Sequence, residues 1–432
     1  MNKALRTLVL TTAMAGVLTF GPSITPTSWG VTDRAQAEEK ERRKPKTKKA
    51  KTLSKKVFER LQKAQELLGE DKHGEAMTEL QAILDRGSRL KPYERAVTLQ
   101  TVGYLEADRE NYPATVAAFE QALAIEDGLP DEAKVDMMYN MGQLYMAMEN
   151  YDKAISTLKA WFKIAENPNA KAYILLGNAY YNKEDYVTAT KLVETAIKKA
   201  KGKGKENWYK FLLALYFEKN KYKHAEKLLE VMVKKFPGVP LYWKQLSAVT
   251  AENKKEKRSF AIAELAYMQG MLDKSRDFER LAQLYLYYDV PYKAAKVLDA
   301  KIKDGTVEKN ADNWGLLASA WMGARENDLA IAPLTAAAKL SDDGDLYLQL
   351  GQAYVGEEKW ADARDALTNA IKKGGLKRVG NAYLLLGMTH ANLNNFDSAE
   401  KAFKDALKHD ESKKSAKRWI DYIAKLREQG TA

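Results

Sequence analysis

The chain contains no cysteine in its 432 residues. Disulfides, thiolate zinc sites, iron–sulfur clusters, catalytic thiols and a lipid-modified N-terminal cysteine are therefore excluded. Histidine is scarce as well. The four present are His73, His224, His390 and His409, and none stands in H-x3-H or H-E-x2-H spacing, so no metal site is expected. There are 11 Pro and 25 Gly, while Ala, Leu, Lys and Glu are plentiful. That composition predicts an all-α chain with its breakers confined to turns. No hydrophobic run reaches the length of about 20 residues that a membrane-spanning helix needs. No G-x-S-x-G is present. The run from Lys201 to Lys205 (KGKGK) lacks both the Gly-Lys-Ser/Thr ending and the preceding strand of a phosphate loop. No pair of carboxylates stands out from the solvated helix charge. An enzyme is not expected, nor is any cofactor.

The one apolar stretch, Leu8 to Phe20, comes after Lys3 and Arg6 and precedes Ala35-Gln36-Ala37. This is the pattern of a cleavable secretory signal over residues 1–37, and it predicts an exported, periplasmic protein. The formal charge of +12 sits mostly in the next segment. Residues 38–56 hold ten Lys or Arg against three Glu, a net of +7, and residues 1–37 hold +2. Only +3 is left for residues 57–432. A nearly neutral body argues against nucleic acid as a partner. Residues 38–56 have almost no apolar content and are expected to be a disordered basic leader. Such a leader could make weak, salt-sensitive contact with an anionic membrane.

From Val57 onward a small residue recurs about every 36 positions. The copies are Ala64, Gly103, Gly142, Gly177, Leu213, Ser247, Ala282, Ala318, Gly351 and Gly387, with Leu213 the exception in size. Some twelve residues after each comes a second small position: Ala76, Thr115, Ala154, Ala189, Ala225, Ser259, Ala294, Ala330, Ala363 and Ala399. Aromatics fill the complementary places. Tyr145, Tyr180, Tyr216, Tyr285, Trp321 and Tyr354 come three residues after the first small position. Tyr112, Tyr151, Tyr186, Tyr222, Trp360 and Phe396 stand at the turn into the second helix. Large beside small is how two helices interdigitate at close range, so these rings are expected to be core. The period predicts ten helical hairpins over residues 57–411, stacked as a right-handed α-solenoid. The sixth hairpin is irregular, with Thr250 and Glu256 where aromatics are usual. A joint near 250–260 is one reading of it and sequence drift the other. Trp419, Ile420, Ile423 and Leu426 give residues 415–429 one apolar face, which predicts a capping helix within 412–432.

These residues resemble the tetratricopeptide repeat. Tyr173-x2-Leu176-Gly177-x2-Tyr180 with Ala189 is a near-complete copy of its pattern, and Trp314-x2-Leu317-Ala318-x2-Trp321 with Ala330 is another. The resemblance covers about residues 57–411. It implies a non-enzymatic protein-binding scaffold and leaves the partner open. The layout of signal, Lys-rich start and continuous array ending in a Trp-containing helix is also similar to exported proteins of this family encoded beside TonB–ExbB–ExbD systems. That likeness implies an accessory role in TonB-dependent uptake of iron or haem across the outer membrane, with TonB, ExbB, ExbD or an outer-membrane receptor as partner. The alternative is a coordinator of envelope assembly or division acting on outer-membrane biogenesis or peptidoglycan machinery.

In the family the first helices of successive hairpins line a concave groove. The register assigns to it Tyr139, Gln143, Met146, Ile174, Asn178, Tyr181, Lys210, Phe217, Lys244, Gln283, Leu286, Met322, Leu348, Gln352, Val355, Leu384 and Met388. The mixture is apolar and amide with few charges, which suits a peptide or helix of a partner protein. The Lys and Asn clamp of family members that hold chaperone C-termini is incomplete, because Ile174 stands where Lys would be needed.

Overall fold

The computed structural model describes residues 52–428, and the signal expected in 1–37 lies outside them. All regular structure among the described residues is helical. Two compact units are present, one ending at Leu228 and the other beginning at Leu229. The first contains four complete hairpins: α1 (Lys55–Gly69) with α2 (His73–Leu84), α3 (Pro92–Asp108) with α4 (Tyr112–Leu123), α5 (Asp131–Ala147) with α6 (Tyr151–Ile164), and α7 (Ala170–Asn182) with α8 (Tyr186–Lys199). It continues through α9 (Glu206–Glu218) into α10 (Tyr222–Lys235), inside which the boundary falls. The second unit contains α11 (Pro240–Glu252) with α12 (Glu256–Met268), α13 (Ser275–Tyr287) with α14 (Pro291–Lys303), α15 (Ala311–Gly323) with α16 (Asn327–Leu340), α17 (Gly344–Gly356) with α18 (Trp360–Lys373), and α19 (Val379–Asn392) with α20 (Phe396–Ala406). A last helix, α21 (Asp410–Glu428), closes it. Each unit is an all-α stack of the solenoid type.

The first helix begins at Lys55. Leu53 already packs on the first core cluster, and the Ser54 amide donates to Glu94 Oε1 at 2.7 Å. Residues 53–56 therefore belong to the fold, which shortens the basic leader at its C-terminal end. The part of the leader before residue 52 lies outside the described residues.

The period marks where helices touch. All twenty small positions are buried, Leu213 among them. An added methyl shows how close the approach is. A Cβ on Gly103 would lie 2.3 Å from the Phe119 ring, and one on Gly142 would lie 2.5 Å from Leu158. In the sixth hairpin two serines occupy the pair. Ser247 Oγ donates to the Ser259 carbonyl at 3.0 Å, and Ser259 Oγ donates to the Ser247 carbonyl at 2.7 Å. Both hydroxyls stay satisfied while buried, which is the condition for placing polar atoms there.

The turn inside every hairpin has one construction. A single non-glycine residue adopts the left-handed conformation: Asp71, Glu110, Glu149, Glu184, Asn220, Lys254, Asp289, Arg325, Glu358 and Asn394, with φ from 52° to 63°. The following amide then donates to the carbonyl five residues back, as Asp185 does to Tyr180 at 2.9 Å and Asn395 to His390 at 2.8 Å. This closes the end of the first helix. That carbonyl belongs each time to the residue three after the small position. A side chain in this conformation costs about 1–2 kcal/mol. Glu184 is exposed, so Glu184→Gly is expected to stabilise the protein by about 0.5–1 kcal/mol, the relief of strain exceeding the entropy gained by the unfolded chain. Thermal melting followed by circular dichroism checks it, and a lowered midpoint would contradict it.

Successive hairpins are joined by a recurring polar clamp. Tyr145 donates its hydroxyl hydrogen to Glu120 Oε1 at 2.5 Å, and Lys153 reaches the same oxygen at 3.2 Å. Tyr285, Glu264 and Lys293 repeat this at 3.0 and 2.7 Å, and Tyr216 binds Glu194 at 2.7 Å. Burial, and then the adjacent carboxylate, pushes the Tyr145, Tyr216 and Tyr285 phenols well above the usual tyrosine range. The Tyr145 bond holds the Glu120 carboxyl below its usual range, and the Lys293 bond does the same for Glu264. At the C-terminal end, Trp419 stacks on Phe403 at 5.6 Å, and Arg427 reaches Glu400 at 3.0 Å and Asp397. The helix thus covers the last hairpin, as the apolar face of 415–429 predicts.

Candidate docking surface

The groove positions of the first unit lie on α5, α7 and α9. Tyr139, Gln143, Met146, Ile174, Asn178 and Tyr181 are half-buried, and Lys210 is exposed. Several are already engaged. Tyr139 lies 5.1 Å from the Trp161 ring, and Tyr181 meets both Tyr186 and Phe211 at 5.4 Å. Burial pushes both phenols up, with the charge of Glu218 adding to it at Tyr181. Lys210 pairs with Glu206 at 3.3 Å. Phe217 does not offer a free face, because it is only 8% exposed. The correction has a physical reason. In α9 the small position is itself a leucine, and Phe211, Leu212, Leu213, Leu215, Tyr216 and Phe217 are all buried together, so the helix is apolar nearly all round.

In the second unit Gln283 and Gln352 are exposed, and Lys244, Leu286, Met322, Val355, Leu384 and Met388 are half-buried. Leu348 is the second correction. It is 7% exposed and packs in a cluster with Leu367, Ala370 and Ala382, where it joins hairpin nine to hairpin ten. Leu286 and Met322 pack on one core cluster, and Leu384 and Met388 on another, each keeping part of its surface open.

An open concavity lies among α11, α12 and α13. It is a shallow open cleft lined by Trp243, Lys244, Ser247, Ala263, Ala266, Leu272, Asp277, Arg280, Leu281 and Leu284. Two side chains are fixed at its wall. Trp243 Nε1 donates to the Pro237 carbonyl at 2.9 Å, and Lys244 Nζ donates to Asp273 at 2.6 Å and to Asp277 at 2.7 Å. Burial opposes the Lys244 charge, but the two carboxylates outweigh it and hold the ammonium above its usual range. Lys244 in turn holds the Asp273 carboxyl low. Arg280 is exposed and makes no ion pair among the described residues. The cleft therefore offers an apolar floor, one ammonium shared between two carboxylates, and one open guanidinium. It can take an apolar side chain and, beside it, a carboxylate that accepts from Arg280.

Of the predicted groove residues, only Lys244 enters this cleft. Trp243, Leu272, Arg280 and Leu284 fall outside the groove positions that the register assigns. The signal that points to them is the irregular sixth hairpin. Its Thr250 hydroxyl and Gln245 Oε1 are buried without a hydrogen-bond partner among the described residues.

The histidines behave as packing or pairing residues. His390 is half-buried, and burial, then the charge of Arg364, lowers its pKa and favours the neutral ring. His73 Nε2 lies 2.6 Å from Asp108 Oδ2, and Nδ1 lies 3.0 Å from the Asp71 carbonyl. Asp71, His73 and Asp108 form a group that could hold a metal ion, a proximity that sequence spacing does not show. The His73–Asp108 contact joins hairpin one to hairpin two.

Models of the tetratricopeptide repeat match residues 135–168 and 348–416. No curated protein matches the chain. Among solved structures, a tetratricopeptide repeat protein from Parabacteroides merdae is 12% identical over 69% of this chain and 99% of its own, with a TM-score of 0.35. YrrB, described as a repeat protein of this kind with an unusual peptide-binding site, is 14% identical over 44% of this chain and 96% of its own, with a TM-score of 0.37. MamA from Desulfovibrio magneticus RS-1 is 19% identical over 43% and 98%, with a TM-score of 0.35.

Proposed function

We propose, from the premise that this chain is a tetratricopeptide-repeat protein, that it is a periplasmic scaffold docking segments of partner proteins on the first helices of its hairpins. Proteins built of this repeat generally mediate protein–protein interaction. The observation that carries the docking reading is the cleft of hairpins six and seven, where an apolar floor lies beside the unpaired Arg280. A partner segment with an apolar side chain next to an acidic one satisfies both. Export is supported by the basic start, the Leu8–Phe20 apolar stretch and Ala35-Gln36-Ala37.

The narrower reading is accessory function in a TonB-dependent uptake system, supported by the layout of signal, Lys-rich leader and continuous array. In it, TonB, ExbB, ExbD or an outer-membrane receptor is the docked partner, and the leader adds weak contact with an anionic membrane. Affinity capture from a detergent-solubilised membrane extract tests both levels. The wild-type protein is expected to recover at least one of these components, and Arg280→Glu to recover several-fold less of it. Capture of none by the wild type retires the TonB reading. Equal capture by Arg280→Glu moves the docking site away from the cleft.

A further inference from the structure

The +3 of residues 57–432 conceals an uneven distribution. Between Lys191 and Lys235 there are thirteen lysines and five glutamates, a net of +8. The densest part is the connection from α8 to α9. Lys198, Lys199, Lys201, Lys203 and Lys205 fall within eight residues that contain no acid. All five are exposed, and none makes an ion pair among the described residues. Lys199 lies over the Tyr173 ring at 5.7 Å, and Tyr173 meets Phe162 at 4.8 Å. The end of α6, the start of α7 and the end of α8 therefore share one edge of the first unit. Lys163 and Lys171, also exposed and unpaired, extend the basic row along it. The acids on the same edge are Glu166, Glu194 and Glu206; Glu194 accepts from Tyr216, and Glu206 is paired with Lys210.

Uncompensated charge of this density raises the free energy of the isolated protein, and an opposite charge lowers it. The residue types indicate which. The row is all lysine, without the arginine fork that suits bidentate phosphate recognition in nucleic acid. No aromatic lies between Lys191 and Asn207 on which a base could stack. The lysines stand on helix ends and on a turn with left-handed Lys201 and Gly202, outside the groove positions of the first helices. Long cationic side chains along an edge meet a broad anionic surface more readily than an inserted chain.

We propose that this edge docks the protein on an anionic lipid bilayer, with Lys198, Lys199, Lys201, Lys203 and Lys205 as the principal contacts to lipid phosphates. The surface belongs to the folded array and acts independently of the basic leader.

The test is co-sedimentation of the full chain with phosphatidylcholine vesicles with and without phosphatidylglycerol. Binding is expected only to the anionic vesicles, and to weaken as salt is raised. Replacing all five lysines by Gln should lower the partition coefficient at least about tenfold with the leader intact, since each basic residue near such a surface contributes appreciably. Replacing Lys257, Lys309, Lys339, Lys372 and Lys401 by Gln removes the same charge from exposed, unpaired positions in the second unit. That variant should bind as the wild type does. Unchanged circular dichroism in both variants confirms the fold. Equal binding by the wild type and the 198–205 variant, or equal loss in both variants, overturns the assignment. So does poly-glutamate or a single-stranded oligonucleotide that binds as tightly as the vesicles and is lost with the same five lysines.

Discussion

Gly344→Ala is expected to destabilise the second unit by about 3 kcal/mol, near the upper end of what overpacking costs. Gly344 opens α17, and a methyl group there would lie 2.3 Å from the Gly374 carbonyl oxygen and 2.6 Å from that of Ala370. Both obstacles are backbone, held by the end of α18, so no rotamer change can make room. Gly177→Ala is the control. Its nearest neighbour would be Val193 Cγ2 at 3.1 Å, the end of a side chain that can shift. Alanine is also about 1 kcal/mol better than glycine within a helix, so this change should be close to neutral. Chemical denaturation of the two variants checks the contrast. Equal midpoints would mean that hairpin nine closes more loosely than its carbonyl positions indicate.

Phe403→Ala carries the second large effect, about 3–5 kcal/mol. The ring is fully buried between two neighbours. One is Gly387, where an added Cβ would lie 2.5 Å from it, and the other is Trp419 of the capping helix, stacked at 5.6 Å. Its loss leaves a cavity where α19, α20 and α21 meet, so the opening should be local. Hydrogen exchange should accelerate in residues 379–428 while residues 55–218 keep their protection. Trp419→Ala combined with Phe403→Ala should cost less than the two changes summed, because they share one contact. Uniform acceleration along the chain would show that the last hairpin is not an independent end.

The helices and their packing faces were legible from residue size alone. A helix crossing imposes a demand on each position separately: Gly103 must be small whatever else the chain contains. That is why all twenty small positions read from the sequence are buried. Features that depend on pairs were not legible. The clamp of Tyr145 on Glu120 joins residues 25 apart on different hairpins, and neither residue type announces the other. The left-handed turn residues were hidden for the opposite reason. Six of the ten are Glu, Lys or Arg, so the conformation is imposed by helix closure and left no glycine to read. Phe217 and Leu348 are buried although the register points them to the groove, because the register gives a direction around the helix, whereas burial depends on what the neighbouring hairpin presents. The cleft is not legible in the sequence because its lining comes from α11, α12 and α13 together.

The polar ties that hold the hairpins among the described residues are local along the chain. Among the described residues one spans the forty positions between Ser54 and Glu94, and most stay within one hairpin or reach only the next. Closing such short loops costs little entropy. Low sequence separation between contacting residues goes with rapid folding, and an array of this kind can nucleate at any of its units. Each hairpin also carries its own stop in the left-handed turn residue and its own contact in the small pair. A hairpin can therefore close while the residues beyond it are still being synthesised, and the next can then form on a finished surface.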